Sequence, residues 1–168
     1  MSLDTSMVVP ATPADIDAIM ACERGPGYEA TVGRWSREEH LAGMADPTHR
    51  YFVARRPDGA IAGFVMLQEV GNAADSILVR RIAVGEQRRG HGRQLLGHAL
   101  HVIFDELGAR SARLGVRAYN ANGIALYSAL GMREESRREE HGHGDKAVTV
   151  VTMTMSAESY RQSKRSNP

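Results

Sequence analysis

Cysteine is almost absent: Cys22 stands alone in 168 residues, so no internal disulfide can form and packing must carry the fold. A lone thiol suits a reducing compartment, and its place in an amphipathic helical pattern reads as a small buried hydrophobe rather than a nucleophile. There is no apolar run long enough to cross a membrane and no leader-like opening, which points to the cytoplasm and away from a membrane partner. Neither sign of charge dominates either, with 21 Lys plus Arg against 20 Asp plus Glu and a net charge of +1. Such a balance lacks the excess of cations on which nucleic-acid binding depends. Repeats, low-complexity stretches and linkers are missing too. The expectation is one domain over residues 4–156, with 157–168 a polar tail that frays.

What is present alternates short strands with amphipathic helices. Val8 and Val9 begin a strand stopped by Pro10. Thr12-Pro13-Ala14-Asp15 supplies a cap, a proline at the first helical position and an acid, so a helix runs through Ile16, Ile19 and Met20 to Gly25-Pro26-Gly27. Ser36-Arg37-Glu38-Glu39 is a capping box for a second helix through Leu41 and Met44, ended by Asp46-Pro47. Strands over 51–55 and 60–70 flank the turn Arg56-Pro57-Asp58-Gly59, and a connection over 71–75 leads to a β-branched strand from Ile77 to Val84. A helix follows with Leu95, Leu96, Ala99, Leu100 and Ile103 on one face and Gly108 past its end. Then come a strand over 113–117, a helix over 122–130 closed by Gly131, and a hairpin of 132–140 with 146–155. His98 and His101, one turn apart, lack the carboxylate or thiol partners of a metal site and read as solvated helix residues. The run His141-Gly142-His143-Gly144-Asp145 reads as an exposed hairpin tip.

The informative stretch is Ser76 to Leu96, a strand that runs through a glycine-rich turn into a helix. Gly90 and Gly92 let the backbone curl and approach a ligand closely. The helix offers unpaired N–H groups and its positive dipole end there, and Arg88, Arg89 and Arg93 add mobile charge. Together these make an anion site, best suited to phosphate. A nucleotide-hydrolase loop needs Lys-Ser or Lys-Thr after the glycines, and none follows. A dinucleotide loop needs a third glycine three residues on, whereas the next is Gly97. What remains is Gln87-x-x-Gly90-x-Gly92 after Ile82-Ala83-Val84, and this resembles motif A of the GNAT superfamily of acyl-CoA-dependent N-acetyltransferases. Residues 120–132, NANGIALYSALGM, resemble motif B of the same superfamily at the right distance.

That resemblance implies an α/β (mixed α+β) GNAT fold: a twisted, mostly antiparallel sheet of about six to seven strands with helices on both faces. It also implies that the fourth and fifth strands splay apart to admit the pantetheine arm. The implied co-substrate is acetyl-CoA, attacked directly by a primary amine, either a small molecule, an amino acid or a peptide N-terminus. The pyrophosphate would be held by Gln87, Arg88, Arg89, Gly90, His91, Gly92 and Arg93, and the arm by the edge of the fourth strand at Arg80, Ile82 and Val84. The spacing from Ile-Ala-Val to the first loop glycine is two residues shorter than the commonest family spacing, which shifts that register. Asn120 matches the motif B asparagine. Tyr127 matches the general acid for the departing thiolate, its bland alternative being a core tyrosine. A backbone N–H near Arg80 or Ile82 would steady the oxyanion.

The base is open: the family's frequent glutamate falls on Ser76, and Asp75, Glu69 or a water chain to either are the substitutes. Tyr28 and Trp35 would wall the acceptor site or simply pack beneath a loop. After Leu130 the pattern loosely resembles the ribosomal-protein N-terminal acetyltransferase branch. The rival to an enzyme is a non-catalytic acyl-CoA sensor on the same fold, which would keep Gly90 and Gly92 without needing Tyr127. An exposed strand edge leaves room for a homodimer.

Overall fold

A computed structural model describes residues 6–25, 34–141 and 146–166 of the chain. Seven strands are present: β1 (Met7–Pro10), β2 (Arg50–Arg55), β3 (Ile61–Gln68), β4 (Ser76–Val84), β5 (Ser111–Arg117), β6 (Arg133–His141) and β7 (Ala147–Ser156). They form one sheet in the order β1-β2-β3-β4-β5-β7-β6. Every neighbouring pair is antiparallel except β4 and β5. The helices are α1 (Ile16–Glu23), α2 (Arg37–Ala45), α3 (His91–His101), α4 (Ala121–Ala129) and α5 (Ala157–Ser166).

Strand periodicity decides which helix covers which face. On β3, Val65 and Leu67 join the core formed with Leu95, Leu96 and Ile103 from α3 and its extension, Tyr127 from α4 and Tyr160 from α5. Phe64 and Met66 point the other way and meet Ile19 and Cys22 of α1. Helices thus lie on both faces of a mixed, mostly antiparallel sheet, the architecture expected from the sequence. The second layer is partial, since α1 packs on β3 and β4 and Gly115 of β5 is exposed.

The helix starts follow their caps. Ser36 Oγ accepts from Glu39 N at 3.2 Å and Glu39 Oε2 accepts from Ser36 N at 2.6 Å, the reciprocal box read from the sequence. A single 3₁₀ turn over Pro13–Asp15 precedes α1. The helix after the glycine loop starts at His91, within the glycine turn itself, so Gly92 lies in its first turn. It runs on as a π turn over Val102–Glu106 before Gly108, whose φ of 64° stops it.

The C-terminal stretch departs most from expectation, because residues 157–166 of the supposed frayed tail form α5. Its polar composition hides two anchors. Ser156 Oγ accepts from Ser159 N at 3.1 Å, and the buried Tyr160 ring stacks on Phe104 at 4.8 Å. Asp105 then accepts from Tyr160 Oη at 2.8 Å and Lys164 Nζ at 2.7 Å. These four contacts turn a solvated sequence into a docked helix.

Candidate active site

β4 and β5 pair in parallel only from Ser76–Leu78 to Ser111–Arg113. Beyond Leu78 the two strands separate, and a cavity of about 700 Å³ opens between them. Arg80, Ile82 and Val84 line it from β4, Gln87 and Gly92 from the glycine loop, and Asn120 and Tyr127 from α4. Seven residues singled out from the sequence therefore share one wall system.

The glycine loop ends as an anion cradle. Gly90 adopts φ 82° at the cap of α3, a conformation costly for a residue with Cβ. A Cβ on Gly92 would come 3.2 Å from Leu126 Cδ2 of α4, so a larger residue there invades the cavity wall. No acid lies in the first turn of α3, and residues 85–90 are exposed. The positive end of the α3 dipole thus meets no acid in its first turn, which fits a pyrophosphate. Arg88, Arg89 and Arg93 stand exposed around the loop, outside the cavity wall, with Arg89 Nε 3.1 Å from Glu86 Oε2. His91 differs: the residue is 2 % exposed and its ring lies 3.3 Å from Ser6 Oγ, so its side chain is turned away from the loop surface.

On α4, Asn120 caps the helix through its Oδ1, which accepts from Gly123 N at 3.0 Å. A Cβ on Gly123 would sit 2.6 Å from Asn120 Nδ2, so glycine at this position leaves the space that amide occupies. Tyr127 is buried at 8 % exposure and lines the cavity.

The centre of β4 is not a regular strand. Leu67 opposes Val79 and Met66 opposes Arg81, which leaves Arg80 without a partner on β3. This bulge reverses the facing of everything after it. Ile77 and Val79 belong to the α3 core, whereas Ala83 packs with Ile19 of α1. Arg81 is thereby sent to the α1–α2 side, against the alternation that a plain strand reading assumes.

There Arg81 enters a buried polar chain. Arg81 Nη1 lies 2.8 Å from Glu23 Oε1, and its guanidinium sits 4.7 Å over the Trp35 ring. Glu23 Oε2 is 3.0 Å from His40 Nε2, and His40 Nδ1 is 3.1 Å from Tyr51 Oη. Glu23 and His40 are wholly buried. Burial pulls the Arg81 guanidinium below the ordinary arginine range, with Glu23 opposing the shift. Burial also pushes Tyr51 up to about 12 and the Cys22 thiol up to about 11, with Glu23 adding to the latter. Cys22 is therefore a protonated core residue rather than a nucleophile.

Both carboxylates considered as base lie away from the cavity. Asp75 (φ 53°) precedes the paired end of β4, and its carbonyl accepts from Arg110 N at 3.0 Å and Ser111 N at 3.3 Å. Glu69 is bound by Arg113. Neither belongs to the wall; among the described residues the one carboxylate lining the cavity is Glu140 of β6. Arg117 and Arg138 flank it, with Nη1 of Arg117 3.7 Å from Oε2 and Nη2 of Arg138 2.7 Å from Oε1. These three escaped sequence reading because the last hairpin carries no motif. The signal was register: Arg138 opposes Val150 and Arg117 opposes the same Val150 across β7.

Trp35 thus reaches the site through Arg81, while Tyr28 and the His141–Asp145 tip beyond His141 lie outside the described residues. His98 packs edge-on to Phe52 at 4.8 Å, and His101 bonds Asp105 at 2.9 Å. Among the described residues no three His, Cys, Asp or Glu side chains form a metal-holding group.

Comparison with known proteins agrees with this geometry. The sequence model of the Acetyltransferase (GNAT) family matches residues 17–132. The [ribosomal protein bS18]-alanine N-acetyltransferase of Salmonella typhimurium is 37 % identical over 108 residues, 58 % of this chain and 68 % of that protein. Its Escherichia coli K12 counterpart is 33 % identical over 105 residues, with the same coverage. The crystal structure of the E. coli ribosomal-protein-S18-alanine N-acetyltransferase superposes with a TM-score of 0.76 at 26 % identity, covering 91 % of this chain and 94 % of that one. The Vibrio cholerae spermidine N-acetyltransferase in complex with CoA and spermine gives a TM-score of 0.82 over 93 % and 98 % of the two chains; at 20 % identity it speaks to the fold.

Proposed function

Since the chain belongs to the GNAT acetyltransferase family, we propose that acetyl-CoA is its acyl donor and that the cavity between β4 and β5 is where an acceptor amine attacks it. The chain is a CoA-using N-acetyltransferase. The observation that carries the finer reading is the separation of β4 from β5 beyond Leu78, which opens the cavity along β4 toward the N-terminus of α3.

In this reading the loop N–H groups from Gln87 to Arg93, with the α3 dipole, bind the pyrophosphate. The side chains of Arg88, Arg89 and Arg93 add screening charge, and His91 contributes its main chain alone. The side of β4 that faces the cavity, at Arg80, Ile82 and Val84, receives the pantetheine amides as an added strand would. The bulge at Arg80 frees backbone N–H groups from the β3 ladder, a fitting source for the oxyanion donor. Tyr127 protonates the departing thiolate from the α4 wall, and Asn120 orients the arm beside it. Asp75 and Glu69 stand off the cavity, so the amine loses its proton to solvent or through water in the mouth. Residues 6–166 act as one domain, in the cytoplasm; no helix among the described residues is long and apolar enough to cross a membrane. The exposed β6 edge is the surface through which a homodimer would form.

Calorimetric titration with acetyl-CoA and free CoA, followed by thiol-release assays with amines, tests this reading. Micromolar affinity for acetyl-CoA, with Tyr127→Phe lowering kcat by about a hundredfold at kept affinity, supports it. Unchanged turnover in Tyr127→Phe would remove that residue as the acid. Binding without turnover on any amine, amino acid or peptide would favour the sensor alternative.

A further inference from the structure

The charge around the acceptor side of the cavity says what kind of amine enters. Four arginines line the wall, Arg80, Arg81, Arg117 and Arg138, against the single carboxylate of Glu140 among the described residues. Arg81 is neutralised from behind by Glu23 at 2.8 Å. Glu140 is shared between Arg117 and Arg138, so it cancels one of them. Two cations are left in excess. Arg80 is exposed at the bulge, and Arg117 Nη1 is buried with no hydrogen-bond acceptor in reach among the described residues, Glu140 Oε2 being 3.7 Å off.

A buried guanidinium N–H with nothing to donate to carries an uncompensated desolvation penalty and is expected to find an acceptor on binding. Arg138 is held in place for the same ligand by Thr152 Oγ1, which accepts from its Nη1 at 3.0 Å. Both arginines stand on the sheet face that α1 and α2 leave open. Arg117 opposes Val150 of β7, Arg138 opposes Val150 from the other side, and Gly115 beside them is exposed. Asn120 and Tyr127 wall the cavity from α4 instead. The two arginines are therefore placed to meet the acceptor rather than the pyrophosphate at the head of α3.

We propose that the acceptor is an amine carrying a carboxylate near its amino group, with Arg117 and Arg138 gripping that carboxylate. This rests on the acetyl-transfer reading above. A planar fork is suited to carboxylate, and Glu140 fixes the pair until the ligand arrives. A polyamine is disfavoured on the same grounds: its second ammonium would face arginines, and the one wall carboxylate is already engaged.

The test starts with acetyl-CoA affinity by calorimetry, then measures thiol release with glutamate, aspartate and an acidic tripeptide against the fully amidated form of each, with every carboxylate converted to carboxamide, and against spermidine. Anionic acceptors should exceed their amides by about tenfold in kcat/KM. The Arg117→Gln/Arg138→Gln double variant should raise the KM for anionic acceptors by about tenfold and leave both kcat and the acetyl-CoA Kd in place, and Arg138→Lys should recover part of the loss. Spermidine or the amides matching the anionic acceptors would overturn the proposal. So would a double variant that weakens acetyl-CoA rather than the acceptor, since the arginines would then serve the cofactor. Failure of the wild-type protein to bind acetyl-CoA removes the underlying reading and this proposal with it. The arm in which acetyl-CoA binds but charge does not matter removes the proposal alone.

Discussion

The two sides of the cavity are built in opposite ways. The side proposed above for the donor is contiguous: β4, the glycine loop and the first turn of α3 occupy residues 76–92, and α4 follows after β5. The side proposed for the acceptor is assembled from afar, with Arg81 reaching Glu23 across 58 residues and His40 reaching it across 17. A local motif uses backbone geometry, which tolerates little substitution. An assembled wall uses side chains, which can be exchanged pairwise. One fold can therefore keep its donor chemistry while its acceptor changes.

The largest effect should come from the donor side, with Gly92→Glu. A carboxylate in the first turn of α3 favours the helix dipole, so the fold is retained. The same charge sits where the pyrophosphate would, and its Cβ already crowds Leu126 at 3.2 Å. Acetyl-CoA affinity should fall by about a hundredfold or more with circular dichroism unchanged. Retained affinity would mean the anion is not held by this loop.

On the acceptor side the matching break is Glu23→Gln, which should cost stability first. It leaves a guanidinium that is 5 % exposed without its counter-charge. Losing one partner of a buried pair costs about 3–5 kcal/mol. Chemical denaturation should register most of that, while acetyl-CoA affinity moves little. Arg81→Met in the same background should return part of the loss, because an apolar side chain beneath Trp35 needs no partner. If acetyl-CoA affinity dropped as far as with Gly92→Glu, the two sides would be one cooperative unit.

This contrast also explains what the sequence could and could not disclose. The order of strands and helices along the chain and both capping motifs follow from short-range signals, periodicity, caps and turn glycines, while the splay and the donor residues were implied only by the resemblance carried by residues 87–92 and 120–132. Arg81 was out of reach because the bulge at Arg80 breaks the alternation that such a reading must assume, and nothing in Val79-Arg80-Arg81 announces a bulge. Glu140 and Arg138 sit in a charged run, Arg133 to Glu140, that reads as a solvated hairpin. Only the pairing of β6 with β7 brings that run beside Arg117. The tail was misread for the converse reason, since its few anchors, Ser156, Tyr160 and Lys164, find partners in distant or flanking segments.

A smaller effect is expected where α2 meets β2. A Cβ on Gly43 would stand 2.8 Å from Tyr51 Oη and 3.2 Å from Trp35 Cζ3. Overpacking of this kind costs about 1–3 kcal/mol, while alanine in a helix interior returns about 1 kcal/mol. Gly43→Ala should therefore be destabilising by about 1 kcal/mol, because Tyr51 cannot retreat without leaving His40. A stabilised Gly43→Ala protein would show that the Tyr51 hydroxyl is free to move and that the chain from Glu23 to Tyr51 is loosely held.

The smallest effect belongs to neither wall, and it measures how far α5 is independent of the site. Hydrogen bonds from Lys164 and then Tyr160 hold the Asp105 carboxyl down at about 2, below its usual 3.8. A depressed carboxylate contributes stability above its ordinary pKa and loses it as pH falls toward the lowered one. Asp105 is largely exposed, so solvent screens the effect. Asp105→Asn should lower Tm by about one to two degrees at neutral pH, with the gap to wild type narrowing below about pH 4. Hydrogen exchange should quicken over residues 157–166 and stay unchanged at the glycine loop. Equal quickening in both places would mean that α5 supports the donor side through Phe104 and the rest of the shared core, and the separation between a local donor wall and its remote supports would then be narrower than the chain order implies.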